Sequence, residues 1–157
     1  MVLHGDSIGP WLAITTGMAD PQRDPEVQEI IGAALQVHSE LGPGLLESAY
    51  QACLVHSLLK RGLRVEQQVA VPIVFDGLRL DCGYRLDLFV ERHVIVEVKS
   101  VRELEPIHTA QVLTYLKLTG ARRALLLNFN CLRLKDGMRS FLGRGKEGSQ
   151  RPDGGVT

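Results

Sequence analysis

The sequence predicts a layered α/β domain, in which helices pack on a central sheet. Segments with apolar residues at helical spacing come first, several segments rich in β-branched residues follow, and one more helix and strand close the order. Short polar turns at Asp76-Gly77 and at 91–93 separate consecutive strand segments closely enough to form hairpins. This order excludes a helical bundle and a β-sandwich.

The helix boundaries follow from residues that cap helices. Asp24 is a favourable N-cap, and Pro25 suits the first helical position. Gly42, Gly62 and Gly120 stand where three helices are expected to end. We therefore predict helices over about 25–41, 45–61 and 106–119.

The strand boundaries follow from composition and from turns. The segment 69–75 is rich in β-branched residues, and the continuous apolar run 124–129 is typical of a strand buried on both faces. The predicted strands cover about 69–75, 78–82, 84–90, 94–99 and 124–129.

The chain has 157 residues, which suffices for one domain but not for two ordinary ones. Both ends lack apolar periodicity, and the last residues are rich in glycine and polar side chains. We expect an N-terminal extension over 1–23, one domain over 24–142, and a flexible tail over 143–157.

Bulk charge and cysteine content limit the classes of function. The 18 basic and 18 acidic residues cancel, whereas a protein that holds nucleic acid through phosphates alone is usually basic. Any such binding therefore needs a local patch. The three cysteines lack CxxC spacing, which argues against a disulfide framework and a zinc ribbon. No apolar run approaches the ~20 residues that span a bilayer, so we expect a cytoplasmic protein without a membrane segment.

The hairpin over 84–99 carries the candidate chemistry. If 91–93 form its turn, Asp87 lies directly opposite Glu97 and Arg85 lies opposite Lys99. Side chains alternate between the two faces of a strand, so Asp87, Glu97 and Lys99 would project from one face. Directly opposed residues of a hairpin have Cβ atoms roughly 4.5–5.5 Å apart. Two carboxylates so close repel each other unless a cation lies between them, and hard cations such as Mg²⁺ bind carboxylates. The spacing therefore predicts a divalent-metal site.

The same spacing also fits a solvated hairpin face with ordinary surface charges. A register slip of one residue would send Asp87 to the opposite face of the sheet. The apolar neighbours of both acids favour the metal site, since an unpaired carboxylate in an apolar strand is unfavourable.

Several motifs resemble a known family. Residues 44–50 read GxxExxY, and together with 37–43 they are similar to the signature of the GxxExxY protein family. The segments 84–87, 95–99, 110–116 and 126–129 resemble further motifs of that family, in the same order. The resemblance covers about residues 25–142, and the family is grouped with the PD-(D/E)XK nuclease superfamily.

The resemblance implies a restriction-endonuclease-like core of αβββαβ order, with a mixed central sheet flanked by helices. In that core Asp87 would be the first acid, and Glu97-x-Lys99 would be the (D/E)xK element. Gln111 and Tyr115 resemble the QxxxY motif of the RecB and lambda-exonuclease branch. One departure is Leu86, which stands where a proline precedes the first acid in the family pattern.

The resemblance also implies the roles of the site residues. Asp87, Glu97, the Val98 carbonyl and Glu47 would hold Mg²⁺ or Mn²⁺. Lys99 would position the attacking water or stabilise charge on the phosphate; a role as general base would require a lowered pKa.

Other polar residues have plainer explanations beside the functional ones. Glu47 also suits the first turn of a helix, where the macrodipole favours an acid, and Tyr50 suits the core or a position that orients Glu47. For His38 we favour a satisfied, partly buried histidine, and for His108 a solvated polar stripe. His56 and His93 are expected at the surface. Five basic residues could contact phosphate, but we favour a solvated surface position for each: Lys60, Arg61, Arg64, Arg122 and Arg123.

We therefore expect a metal-dependent nuclease that acts on DNA. The competing interpretation is a catalytically silent protein that keeps the fold and binds nucleic acid or another partner. A weaker third interpretation is a hydrolase of another phosphorylated substrate. A homodimer would let so small a nuclease grip a duplex.

Overall fold

The structure is a computed structural model, and it describes residues 24–81 and 83–144. The predicted extension over 1–23, Cys82 and the chain beyond residue 144 lie outside the described residues. Gly143, the first residue of the predicted tail, remains attached to the domain, because its N–H donates to the Arg122 carbonyl at 2.9 Å.

The three predicted helices are confirmed. They are α1 (Pro25–Leu41), α2 (Glu47–Lys60) and α3 (Pro106–Thr119). The Asp24 side chain caps α1 by accepting from the backbone N–H groups of Glu26 and Val27. Gly42 and Gly120 end α1 and α3 with positive φ, as glycine readily does.

A five-stranded mixed sheet and a separate two-stranded hairpin contain the strands of the described residues. The strands are β1 (Val65–Ala70), β2 (Ile73–Phe75), β3 (Leu78–Leu80), β4 (Arg85–Val90), β5 (Val94–Lys99), β6 (Arg123–Asn128) and β7 (Met138–Leu142). The order in the sheet is β1-β4-β5-β6-β7, and only its β5–β6 pair is parallel. Between β2 and β3, which form the hairpin, Asp76 and Gly77 both have positive φ, as the predicted two-residue turn requires.

Two strand predictions were wrong in extent, and one strand was not predicted. The expected strand 69–75 is divided at Val71-Pro72 into β1 and β2, because proline cannot donate to a ladder. The strand expected over 78–82 ends at Leu80. β7 follows a 3₁₀ turn over Leu134–Gly137 and pairs with β6 as an edge strand.

The sheet separates two apolar clusters. On one face, α1 and α2 pack on alternate residues of β4 and β5, including Leu88, Val96 and Val98. On the other face, α3 packs on residues that include Phe89 and Ile95. Because Glu97 and Lys99 alternate with Val96 and Val98, they belong to the α3 face of β5.

Two further findings bear on the expected class of protein. No helix within residues 24–81 and 83–144 is long and apolar enough to cross a bilayer. Cys53 and Cys131, two of the three cysteines, are free thiols.

Candidate active site

The β4–β5 ladder opens at the two predicted acids. Its regular pairs run from Val90↔Val94 to Leu88↔Val96, which confirms the predicted register. At the next position, the Asp87 N–H donates to Glu97 Oε1 at 3.1 Å, and the Val98 N–H donates to Asp87 Oδ2 at 2.9 Å. The two carboxylates thus accept hydrogen bonds from backbone N–H groups, which in a continued ladder would donate to carbonyls of a neighbouring strand.

The opening changes one predicted pair. Arg85 was expected opposite Lys99, but the β4–β5 ladder ends at Leu88. Arg85 instead pairs with Ala70 of β1 and donates from Nη1 to the Gln68 carbonyl at 3.2 Å. The physical reason is that the Asp87 and Glu97 side chains interrupt the ladder between the strands.

The neighbouring strand is also distorted beside Asp87. Gln68 would face Asp87 in the β1–β4 register, but that pair is missing between Gln67↔Leu88 and Val69↔Leu86. Gln68 has φ of 51°, which is unfavourable for a residue other than glycine. Asp87 therefore lies where both of its neighbouring ladders are interrupted, and such strain often accompanies functional sites.

Glu97 is a buried acid beside a second acid. Only 2% of its surface is exposed. Burial, followed by the charge of Asp87, raises the pKa of Glu97 to about 8, although the Asp87 N–H and the Lys99 charge act in the opposite direction. Without a cation the pair therefore favours holding a proton. A divalent cation would satisfy two close carboxylates, so this donor pair fits Mg²⁺ or Mn²⁺.

The structure brings Gln111 and Tyr115 to the same place. Gln111 Nε2 donates to the Tyr115 hydroxyl oxygen at 3.2 Å, and Tyr115 is 3% exposed. Burial raises the pKa of Tyr115, and the charges of Glu97 and Asp87 raise it further. Tyr115 packs with Phe89 and Ile95 on the α3 face of the sheet, the face to which Glu97 belongs.

Glu47 approaches from the opposite layer. It is the first residue of α2, and its Oε1 accepts from the Ser100 N–H at 3.2 Å. The Ser100 hydroxyl donates to the Leu45 carbonyl at 2.6 Å, so the start of α2 is fastened to the residue after Lys99. Within the described ranges, no three His, Cys, Asp or Glu side chains form a group that could hold a metal. Glu47 thus lies beside the end of β5 without joining Asp87 and Glu97 in one ligand group.

Tyr50 fixes the loop that precedes Glu47. Its hydroxyl donates to the Gly42 carbonyl and accepts from the Leu45 N–H at 3.1 Å. Its ring stacks on Phe129, with centroids 4.6 Å apart. The first and last polar residues of the GxxExxY segment therefore act together, since Tyr50 positions the loop from which Glu47 begins α2.

Sequence reasoning missed Asn128 and Ser100. Asn128 ends β6 beside Lys99 and is 4% exposed. Its Oδ1 accepts from the N–H groups of Val101 and Asn130, and its Nδ2 donates to the Val101 carbonyl at 2.9 Å. An amide at the end of a fully buried strand is a signal of such a bonded position, whereas Ser100 carries no distinctive signal.

The predicted histidine environments are partly confirmed. His38 is 8% exposed, and its Nε2 hydrogen-bonds to the Cys131 carbonyl at 2.8 Å. His108 is half-buried at the exposed start of α3, where its Nδ1 accepts from the Glu105 N–H and completes the cap of the helix. His93 was expected at the surface but is half-buried and contacts Glu26.

Arg123 was also expected at the surface, and it is buried. Its Nε lies 3.3 Å from Asp24 Oδ2. Arg122, the neighbouring residue, contacts both Asp24 and Glu26 from an exposed position. These basic residues join the start of β6 to the start of α1 and are therefore structural.

Residues 24–141 match a family model described as the PD-(D/E)XK nuclease superfamily. Neither the curated proteins nor the solved structures contain a significant match to the chain.

Proposed function

This chain belongs to the PD-(D/E)XK nuclease superfamily, and from that premise we propose that it hydrolyses phosphodiester bonds in DNA with the help of Mg²⁺ or Mn²⁺. The observation that supports the proposal is the Asp87–Glu97 pair, placed where the ladder opens and followed by Lys99. A buried carboxylate beside a half-buried one, next to a cationic side chain, suits metal-assisted hydrolysis of a phosphate ester.

Asp87 and Glu97 would hold the metal ion. The Val98 carbonyl faces the same gap, because the N–H and C=O of a strand residue point toward the same neighbour and the Val98 N–H bonds to Asp87. Glu47 would contribute from α2 at the end of β5. When bound, the ion supplies polarisation of the phosphate and a lowered pKa of a coordinated water.

Lys99 would stabilise negative charge on the phosphate oxygens. It lies two residues beyond Glu97 on the same strand face, is half-buried, and its charge lowers the pKa of Glu97. A protonated lysine performs this role directly, without the lowered pKa that a general base would need.

Gln111 and Tyr115 would orient the substrate. The raised pKa of Tyr115 keeps its phenol neutral and able to donate a hydrogen bond. Gln111 uses one Nε2 hydrogen on Tyr115, which leaves its amide oxygen and second hydrogen for a phosphate or a water.

We also propose, from the sequence, that the chain belongs to the GxxExxY family and is cytoplasmic. A homodimer is proposed because a second subunit would let so small a nuclease grip a duplex; no residue of the sequence indicates it. One observation favours the silent alternative: Glu47, Asp87 and Glu97 each accept from a backbone N–H, as purely structural acids would.

A cleavage panel tests the proposed function. Labelled single- and double-stranded DNA and RNA are incubated with Mg²⁺ or Mn²⁺ and wild-type protein, with Lys99→Ala, or with EDTA. Lys60→Ala is the matched control, because Lys60 is an exposed lysine at the far end of α2. We expect DNA cleavage that EDTA abolishes, that Lys99→Ala lowers by roughly a hundredfold or more, and that Lys60→Ala leaves unchanged. Equal cleavage by wild type and Lys99→Ala, or none by folded wild type, would overturn the proposal.

A further inference from the structure

Two aromatic side chains differ from the rest in exposure. The seven tyrosine and phenylalanine residues among the described residues are Tyr50, Phe75, Tyr84, Phe89, Tyr115, Phe129 and Phe141. Tyr84 is 49% exposed and Phe75 is 72% exposed, whereas each of the other five is exposed by 9% or less. Both exposed rings lie on the connection between β1 and β4, which leads directly into Asp87.

Tyr84 is fixed close to the carboxylate pair. Its carbonyl accepts from the Val71 N–H at 2.8 Å, which continues the β1–β4 pairing by one step beyond Ala70↔Arg85. Three residues of extended strand place its Cα roughly 10 Å from that of Asp87.

Phe75 lies on an uncovered face of the β2–β3 hairpin. The pairs Ile73↔Leu80 and Phe75↔Leu78 place four apolar side chains on one face. Leu78 is 57% exposed, so the outer half of that face is exposed. The Phe75 ring is thus held on a short, regular hairpin.

Two exposed arginines flank the rings. Arg79 lies on the other face of the hairpin from Phe75, with 66% of its side chain exposed, and it pairs with the exposed Asp81 at 3.5 Å. Arg85 follows Tyr84 and donates to the Gln68 carbonyl. Arginine side chains bind phosphates, and aromatic rings stack on bases of any sequence. In a duplex each base is already stacked between its neighbours, so these rings suit bases that are unpaired.

We propose that Tyr84 and Phe75 stack on unpaired nucleobases and make single-stranded nucleic acid the preferred substrate of this site. The inference rests on the proposed function, because it takes the Asp87–Glu97 pair as the place where the phosphate is bound. The roughly 10 Å between Tyr84 and Asp87 corresponds to about three stacked base steps, so a base a few steps from the bound phosphate reaches Tyr84. Phe75 lies on the hairpin that precedes Tyr84 in the chain.

Binding measured without metal separates this inference from catalysis. Fluorescence anisotropy in EDTA follows a labelled oligothymidylate of about 20 nucleotides, longer than the sites of single-strand binding modules, and its duplex with oligoadenylate. We expect the single strand to bind more tightly. Tyr84→Leu and Phe75→Leu should each weaken single-strand binding by roughly fivefold to a hundredfold, with little effect on the duplex.

Matched variants show whether the aromatic ring is what matters. Tyr84→Phe and Phe75→Tyr keep a ring and should bind like wild type. Leu59→Ala removes an exposed apolar side chain near the end of α2 and should have no effect. Unchanged single-strand affinity in both leucine variants would overturn the inference, even if Mg²⁺-dependent cleavage is present. Failure of cleavage with intact, ring-dependent binding would instead overturn only the proposed function.

Sedimentation of the free protein distinguishes a protein partner. If the leucine variants convert a dimer to a monomer while single-strand affinity stays unchanged, the exposed hairpin is an interface between copies of this chain. That outcome would overturn the inference.

Discussion

Glu97 shows how a site residue opposes stability. It is almost fully buried beside Asp87, and it is satisfied by one backbone N–H. Removing a carboxylate from water without a compensating charge is unfavourable. A cation at the proposed metal site would offset this penalty.

Glu97→Gln should therefore stabilise the metal-free protein. The amide oxygen can still accept from the Asp87 N–H, but the buried charge is gone. Because the folded-state pKa of Glu97 is raised to about 8, the folded protein keeps a proton that the unfolded chain loses above its ordinary pKa. The wild type thus loses stability as the pH rises from the ordinary pKa of a glutamate to the raised pKa of Glu97, and the full loss is reached above about pH 8.

Urea unfolding in EDTA at several pH values measures this effect. Near pH 4 the variant and the wild type should be equally stable, because both states of the wild type are then protonated. Near pH 9 the variant should be more stable by about 1–3 kcal/mol. A gain of the same size at both extremes, or a loss at high pH, would contradict the electrostatic explanation.

At the scale of secondary structure, the site depends on where elements end. The β4–β5 ladder stops at Leu88, α2 begins at Glu47, and β6 ends at Asn128. Side-chain oxygens at each of these ends bond to backbone N–H groups of residues 98–101. The segment after β5 is therefore held from β4, α2 and β6 at once.

Asn128→Leu should release this segment. The variant keeps the volume but loses the bonds to Val101 and Asn130, which leaves buried backbone groups unsatisfied. We expect a loss of about 1–3 kcal/mol in the free energy of unfolding and faster hydrogen exchange at the Val101 amide. Asn130→Ala removes only a 3.4 Å contact to Val101 and is the milder control. Unchanged exchange in Asn128→Leu would show that β6 does not hold the segment.

At the scale of the whole molecule, an ion-pair group joins the start of α1 to the sheet. Asp24 caps α1 and contacts both Arg122 and Arg123 at the start of β6, while Glu26 contacts His93 in the β4–β5 turn. These contacts link residues 67 or more positions apart in sequence. They fasten the helix layer at the end of the sheet away from the carboxylates.

Asp24→Asn should remove the ion pair with Arg123 while keeping the N-cap of α1. Asparagine remains a good N-cap, but Arg123 would stay buried without its acid. We expect a loss of about 3 kcal/mol in the free energy of unfolding, measured by urea titration. Glu26→Gln alters a more exposed contact and should cost less than about 1 kcal/mol. Equal losses in the two variants would contradict the importance of the buried pair.

How much the sequence predicted depends on how local each signal is. Caps and turns act over a few residues, so the helices and the β4–β5 register at Val90↔Val94 were predictable. Edge strands carry weak signals: β1 begins at Val65 without alternating burial, and β7 contains Arg139 and Ser140. The contacts of Ser100 and Asn128 join residues 53 and 27 positions apart, so no local pattern reveals them.

Calorimetric titration of Mn²⁺ into metal-free protein tests the central claim most directly, because it needs no knowledge of the substrate. Asp87→Asn is compared with wild type, and Asp81→Asn is the control, since Asp81 is an exposed acid on the same connection. We predict that wild type and Asp81→Asn bind Mn²⁺ with equal affinity, and that Asp87→Asn binds it roughly a hundredfold more weakly. Equal binding by wild type and Asp87→Asn, or no binding by wild type, would contradict a metal site at the Asp87–Glu97 pair.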